Sequence, residues 1–214
     1  MEGLIDVLFV FRIFRRVVYL VVAAAFIYLV VTSVQVVAAS RAPTAVAAAV
    51  PSSAIVAVGT PSGPHGVTAD LHARCNQAVA LFKGKRARVV ITTGGRPSAA
   101  DPVEAAVLAH CVESYGVPRR DVEEIAVNGL PAQLHAVSLS DSASSGARVI
   151  IVADPLETKW VLGVAAAEGL KASVSPDPAP KPSIWSTLGK VWSQSLAVGF
   201  GRIFGYANTG WVSG

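Results

Sequence analysis

The segment "ARVIIVAD" (Ala147–Asp154) holds five consecutive apolar residues, Val149–Ala153, between a charged residue on either side. A short run rich in β-branched residues, without alternating polar positions, is typical of a strand that is buried on both faces. Strands of this kind belong mainly to parallel sheets that are covered by helices on each side. The segment therefore favours an α/β fold.

Similar apolar runs recur along the chain, and segments with helical spacing separate them. The other runs are Ala54–Gly59, Arg88–Gly95, Val122–Gly129 and Lys171–Pro176. Alternating strands and helices predict a Rossmann-like parallel sheet with flanking helices over residues 54–176. Because the crossovers are right-handed, the carboxyl ends of the strands and the amino ends of the helices share one edge, where such sheets bind ligands.

A long uncharged segment precedes the predicted domain. Residues 17–40 carry no charge, and as a helix they extend about 36 Å, enough to cross a hydrocarbon core of about 30 Å. Three arginines precede this span and one follows it, so the positive-inside rule places residues 1–16 in the cytoplasm and the domain outside it. A cleaved signal peptide is the alternative, because small residues end the span. The apolar run exceeds the roughly 7–15 residues of a signal core, so we expect a single-pass anchor in the cell membrane, with the lipid bilayer as a partner.

Two further segments flank the predicted domain. Residues 41–53 form a linker of small residues, and residues 177–214 open with a Pro-rich stretch and continue in a helical pattern. We expect this helix to complete the domain by packing on it; the membrane surface and a protein partner are the alternatives. Its apolar stripe comprises Ile184, Leu188, Val191, Trp192, Leu196 and Phe200.

The formal net charge is +4, with charged residues making up 15% of the chain. No basic stripe with interleaved aromatic residues is present, so a nucleic-acid partner is not expected. The histidines, among them His65 in the loop after the first predicted strand, are scattered without HxxxH spacing, and no CxxC pair occurs. We therefore expect neither a metal site nor a cofactor.

Several short motifs follow one another at a characteristic spacing. They are a first strand that ends in Gly, Arg74 four residues ahead of Ala78, "TTGG" (Thr92–Gly95), "EA" (Glu104–Ala105), "GVP" (Gly116–Pro118) and "GRIFGY" (Gly201–Tyr206). In this order they resemble the YdcF/ElyC/SanA family, and the last motif resembles an actinobacterial branch of it. The resemblance runs from about residue 54 to residue 206. It implies a Rossmann-like domain, often behind an N-terminal membrane helix, and a role in envelope biogenesis.

Three positions depart from the family pattern. After the fourth strand the family has His and Arg where this chain has Glu157 and Trp160, and after the third strand it has Thr where this chain has Ala132. The first loop, in which the family carries Gln or Asn, reads "TPSGPHG" (Thr60–Gly66). These changes favour a non-catalytic domain in which Leu156 and Trp160 fill the crevice at the carboxyl edge.

The function that we favour on these grounds is that of an accessory or structural subunit of a membrane or cell-envelope complex, either with membrane-protein partners or as a homo-oligomer. The alternative is an envelope enzyme or a binding protein for an anionic, phosphate-bearing metabolite, free or lipid-linked. The two hypotheses differ in whether the crevice is open and polar or filled.

Under the alternative hypothesis the site residues gather at the carboxyl edge of the sheet. Arg74 faces the core of its helix, and a buried guanidinium needs a partner. It either clamps an anion beside a Gly-rich turn whose amides cradle oxyanions, or it forms a structural ion pair with Glu104 or Asp70, which is the interpretation we favour. The catalytic candidates are Arg74 and Glu104. The ligand-binding candidates are Gly59, Arg74, Thr93, Gly94, Gly95 and Glu104.

The sequence contains two copies of an Asp-Pro-x-Glu pattern, at Asp101–Glu104 and Asp154–Glu157. Asp is a preferred N-cap, Pro suits the first helical position, and Glu at the third position can reach back to the cap amide. We interpret both pairs as helix caps rather than as catalytic carboxylates.

The two cysteines of the chain, Cys75 and Cys111, fall on sheet-facing positions of neighbouring predicted helices. We favour buried free thiols, which behave as small apolar side chains. A disulfide is the alternative, because the two residues lie at similar heights along their helices.

Overall fold

The computed structural model describes residues 2–41, 52–59, 68–96, 98–144, 146–178 and 184–213. It contains one five-stranded parallel sheet with helices on both faces, which confirms the predicted Rossmann-like α/β class. His65 lies outside the described residues. So do most of the predicted linker and most of the Pro-rich stretch. The strands are β1 (Ala54–Ala57), β2 (Val89–Thr93), β3 (Val122–Ile125), β4 (Arg148–Ala153) and β5 (Lys171–Pro176).

The sheet has the strand order β3-β2-β1-β4-β5, and all four neighbouring pairs are parallel. Its direction of winding therefore reverses between β1 and β4. The helices are α1 (Glu2–Arg41), α2 (Ala69–Lys83), α3 (Glu104–Ser114), α4 (Leu130–Ser138), α5 (Thr158–Ala167) and α6 (Ile184–Phe204). A 3-10 segment, Pro155–Glu157, leads into α5, and a second one, Tyr206–Ser213, comes after α6.

The core divides into two layers on opposite faces of the sheet. One layer joins alternate residues of β1 and β2 to α2 and α3, with Leu71 and Leu108 fully buried. The other joins the sheet to α4, α5, α6 and α1, and it contains Trp160, Val198 and Val36. Helix α2 therefore packs on one face of the sheet, and the chain after β5 packs on the opposite face.

Helix α1 contains the segment Arg12–Ser40, which is long and apolar enough to cross a membrane. Most of its described side chains are exposed, Leu20 and Phe14 among them, whereas Thr32 and Val36 near its end are fully buried. That end packs against α6, where the hydroxyls of Ser33 and Ser195 lie 2.9 Å apart.

Helix α6 packs on the domain as expected, but through a different face from the one predicted. Small residues make the contact, with Ala197 and Val198 fully buried. Three large residues of the predicted stripe, Leu188, Trp192 and Phe200, are exposed instead. Large apolar side chains normally mark the buried face of a helix, and here they mark the outer one.

The favoured interpretation of the cysteines as free thiols is wrong, because Cys75 and Cys111 form a disulfide between α2 and α3. The Cα atoms are 6.2 Å apart, and 36 residues of sequence separate the two cysteines. The two cysteines lie at equal heights on neighbouring helices, as the disulfide alternative assumed. This arrangement brings the two sulfurs together. Disulfides of this kind persist in oxidising compartments.

Removing the disulfide should lower the stability of the domain. In the chain-entropy model a loop of this length contributes about 4 kcal/mol, so the full chain with Cys75→Ala and Cys111→Ala should unfold at markedly lower urea concentration than the wild type. Tryptophan fluorescence in detergent follows the transition. Wild-type protein denatured without reductant should take up no maleimide, and uptake of two maleimides per chain would contradict the bond.

Candidate functional site

The candidate site lies where the winding of the sheet reverses, at the carboxyl ends of β1 and β4. Gly59 follows β1 by two residues, Asp154 follows β4 directly, and Arg74 reaches the same place from α2. In open α/β sheets this position forms the ligand crevice. The structure therefore brings Arg74 to the part of the sheet that the sequence predicts.

The Arg74 guanidinium is buried and each of its three nitrogens donates a hydrogen bond. Nε donates to Asp177 Oδ2 at 3.1 Å, and Nη2 donates to Glu157 Oε2 at 3.0 Å. Nη1 donates to the carbonyl oxygen of Val58 at 2.9 Å and, more weakly, to that of Gly59 at 3.4 Å. The guanidinium thus donates its hydrogen bonds to groups of the protein itself.

Arg74 forms structural ion pairs, which confirms that interpretation. Its partners are residues that were not expected from the sequence. Burial alone lowers the pKa of Arg74, but Glu157 and Asp177 outweigh it, so the pKa lies above its ordinary value. The charge is therefore fixed, and it is compensated by two carboxylates. A buried arginine without such partners would cost several kcal/mol.

Asp177 is the residue that the sequence analysis missed. Its side chain is fully buried, and it directly follows β5, as Asp154 follows β4. Acidic residues that come immediately after predicted parallel strands reach the carboxyl edge of the sheet, and this signal was present in the Pro-rich "PDPAP" (Pro176–Pro180).

The two Asp-Pro-x-Glu segments behave differently. Asp154 does cap the 3-10 segment that starts α5, because its carboxylate accepts a hydrogen bond from the amide of Leu156 at 2.8 Å. Its other oxygen accepts from Lys190 of α6, also at 2.8 Å. Glu157 pairs with Arg74 rather than contributing a capping bond from the third position.

The capping interpretation of Asp101 is wrong. Helix α3 begins at Glu104 with Val103 as the N-cap residue and no side-chain capping bond. The Asp101 carboxylate accepts a hydrogen bond from the Ser98 hydroxyl in the preceding turn instead. Asp101 therefore stabilises the loop before α3 rather than the helix itself.

The Gly-rich turn after β2 packs closely on β1 and α3. Gly94 has a φ of +139°, and a β-carbon there or at Gly59 would lie within about 2.7 Å of Glu104. The buried Glu104 side chain therefore occupies the space that the two glycines leave open. The structure places these three candidate residues in contact with one another.

Two polar groups of this turn are bonded within the protein. The amide of Gly94 donates to the carbonyl of Ile125 at 3.2 Å, and the buried Thr93 hydroxyl donates to Gln133 Oε1 at 2.7 Å. A β-carbon at Gly95 would collide with the Asn128 side chain. The turn is thus filled by the chain's own side chains from the loop and helix that follow β3.

The expectation that Trp160 fills the crevice is wrong. The Trp160 side chain packs into the core on the face of the sheet opposite to α2, and its Nε1 donates to the Thr209 hydroxyl at 2.9 Å. Leu156 is half-buried. The Arg74, Glu157 and Asp177 side chains occupy this part of the edge instead.

A separate groove of about 490 Å³ lies between α2 and α3, beside the disulfide. Its wall is mostly apolar, with His72 hydrogen-bonded to the Tyr115 hydroxyl at 3.0 Å. The lining residues are His72, Pro102, Val103, Ala106, Val107, His110, Cys111, Ser114 and Tyr115. None of the candidate site residues belongs to this groove. Among the described residues, no three His, Cys, Asp or Glu side chains gather into a metal site.

Comparisons with protein-family models, with curated proteins and with solved structures find no match to this chain.

The two carboxylates around Arg74 should contribute unequally to the free energy of unfolding. Asp177→Asn leaves a fully buried guanidinium short of a counter-charge and should lower the free energy of unfolding by about 3 kcal/mol or more. Glu157 is 22% exposed, and Glu157→Gln leaves Asp177 paired with Arg74. Because burial already disfavours the charged form of Glu157, this substitution should lower the free energy of unfolding by no more than about 1 kcal/mol. Urea unfolding of the full-length variants measures both, and equal losses would contradict the assignment.

Glu157 should also make stability depend on pH. Burial raises its pKa above the ordinary value of 4.5, although Arg74 draws it down. The folded state then keeps a proton at pH values where the unfolded chain has released it. The free energy of unfolding should therefore fall as the pH rises from about 4.5 through the raised pKa.

The matched control for this pH effect is Glu157→Gln, which cannot titrate. Urea unfolding between pH 4 and pH 8 should give a smaller decline for this variant than for the wild type over the same range. If the free energy of unfolding declines equally with pH in the two proteins, Glu157 is not the source of the pH dependence.

Proposed function

We propose that the chain is a single-pass membrane protein whose YdcF-like domain lies outside the cytoplasm and acts, without catalysis, as an accessory or structural subunit of a membrane or cell-envelope complex. The observation that carries this proposal is that all three guanidinium nitrogens of Arg74 already donate hydrogen bonds to groups of the chain itself. An anion at the crevice would have to compete with two carboxylates already bound to the same guanidinium.

The departure from the family pattern supports the same conclusion. The family has His where this chain has Glu157, and Glu157 supplies one of the two charges that neutralise Arg74. A replacement that turns an available cation into a buried ion pair favours a structural use of the site. The anion-binding alternative, through Arg74, the turn Thr93–Gly95 and Glu104, requires Glu157 or Asp177 to release the guanidinium.

The proposed topology has two independent supports. The arginines before the apolar span of α1 favour a cytoplasmic N-terminus. The disulfide between Cys75 and Cys111 favours an oxidising compartment for the domain. Both support a topology in which the membrane separates residues 1–16 from the α/β domain.

A subunit of a complex should leave the membrane together with its partner. Full-length tagged protein, extracted from its native membranes in a mild detergent, should elute in light-scattering chromatography above the mass of one chain, either with a stoichiometric membrane protein or as a defined homo-oligomer. Glu157→Gln should behave in the same way. A monodisperse monomer without a partner would contradict the proposal.

The Asp177→Asn variant serves as the second arm of this experiment. It keeps α1 unchanged but weakens the packing of the domain, so it should lose the partner if the domain makes the contact. Retention of the partner at full stoichiometry would assign the contact to α1 and contradict a role for the domain.

A further inference from the structure

We propose that α6 lies in the outer leaflet of the bilayer beside α1, with its exposed apolar face in contact with lipid acyl chains. The inference rests on the proposed membrane anchor. It adds α6 as a second membrane-contacting element, a helix for which the sequence favoured packing on the domain and left the membrane surface as an alternative. The ligand of this surface is the phospholipid bilayer itself.

The exposed face of α6 carries large apolar side chains. Five large side chains on it have exposed fractions between 37% and 65%. At 100° per residue they fall within an arc of about 160°, and no charged residue lies on this arc between residues 187 and 204. The five residues, which we call the outer arc, are Leu188, Trp192, Phe200, Ile203 and Phe204.

Two long basic side chains border the outer arc. Lys190 lies just beyond one edge of the arc and Arg202 just beyond the other, each about 40° away at helical spacing. Both are at least partly exposed, and both bond to neighbouring elements, Lys190 to Asp154 and Arg202 to Gln35 of α1. An apolar arc with a basic rim is typical of helices that lie in the membrane interface, where the charges meet phosphate groups.

The contact with α1 sets the depth of α6. Tyr28 donates from its hydroxyl to the carbonyl of Gly199 at 3.4 Å, and Ser33 meets Ser195. Along a helix, Tyr28 lies about 18 Å and Ser33 about 26 Å beyond Arg16. Since the hydrocarbon core is about 30 Å thick, a span that starts after Arg16 carries both contacts at the depth of the outer leaflet.

Packing between the two helices has the form expected inside a bilayer. Small residues, Ser195 and Gly199 on α6 and Ser33 on α1, let the backbones approach, and hydrogen bonds from side-chain hydroxyls cross the contact. At the same depth α1 also exposes Val30 and Val34. Lipid must surround α1 at this height, and α6 touches α1 there, so the adjoining outer arc is solvated by the same acyl chains rather than by water.

Site-directed spin labelling in nanodiscs of phosphatidylcholine and phosphatidylglycerol tests this placement. The only two cysteines of the chain are bonded to each other, so one introduced cysteine is the only thiol that takes the label. The test positions are Ile203→Cys and Phe204→Cys on the outer arc. Leu20→Cys, at a residue of α1 that is 70% exposed, reports the anchor, and Leu139→Cys, at a residue 73% exposed at the end of α4, reports water.

Accessibility to oxygen, which concentrates in lipid, is compared with accessibility to a water-soluble nickel complex. The labels at positions 203, 204 and 20 should favour oxygen several-fold, and the label at position 139 should favour nickel. If position 20 favours oxygen but positions 203 and 204 favour nickel, the anchor stands and the placement of α6 is wrong.

Two other results would also overturn the inference. If the labels at 203 and 204 are immobile and shielded from both reagents, a protein surface or a second copy covers the outer arc. If the label at position 20 favours nickel as well, α1 does not span the bilayer, and the proposed anchor fails together with the placement of α6.

Discussion

Burial of the Arg74 guanidinium requires compensation from several elements, and this requirement organises the carboxyl edge of the sheet. Asp177 comes from the end of β5, Glu157 from the turn before α5, and the carbonyl of Val58 from the end of β1. One side chain of α2 thus holds three separate parts of the chain together across the sheet. The buried Asp177 and Arg74 would each be left without a counter-charge if the other were removed, so the arrangement depends most on this pair.

The same cluster extends to the helices on the other face. Asp154 caps the turn that carries Glu157 and also binds Lys190 of α6, while Gln35 of α1 accepts hydrogen bonds from Lys159 and Arg202. Hydrogen bonding at Gln35 therefore joins the end of the proposed membrane span to α5 and α6. These contacts hold α1 against the domain.

The sequence predicted the parts of the fold that depend on local pattern. The apolar run Val149–Ala153 forms most of β4, and its lack of polar alternation reflects burial on both faces of the sheet. The need of Arg74 for a buried partner was also predictable, but Asp177 and Glu157 lie 103 and 83 residues away, and only the strand order brings them near.

The errors of prediction have physical causes as well. The disulfide depends on a Cα separation of 6.2 Å that only the packing of α2 against α3 determines. The outward face of α6 was misassigned because large apolar side chains indicate a protein core in water, and the same side chains suit a surface in contact with lipid. Asp101 was misassigned because α3 starts two residues later than the capping pattern suggests.

The measurement that tests the account most directly follows the Nε–H resonance of Arg74 in the full-length protein while inorganic phosphate is added. A guanidinium held by Asp177 and Glu157 should exchange slowly with water, and its chemical shift should not respond to phosphate. Asp177→Asn should abolish this protection in the same spectrum. A saturable, phosphate-dependent shift of the wild-type resonance would mean that Arg74 remains available to an anion, and the structural role assigned to it would be wrong.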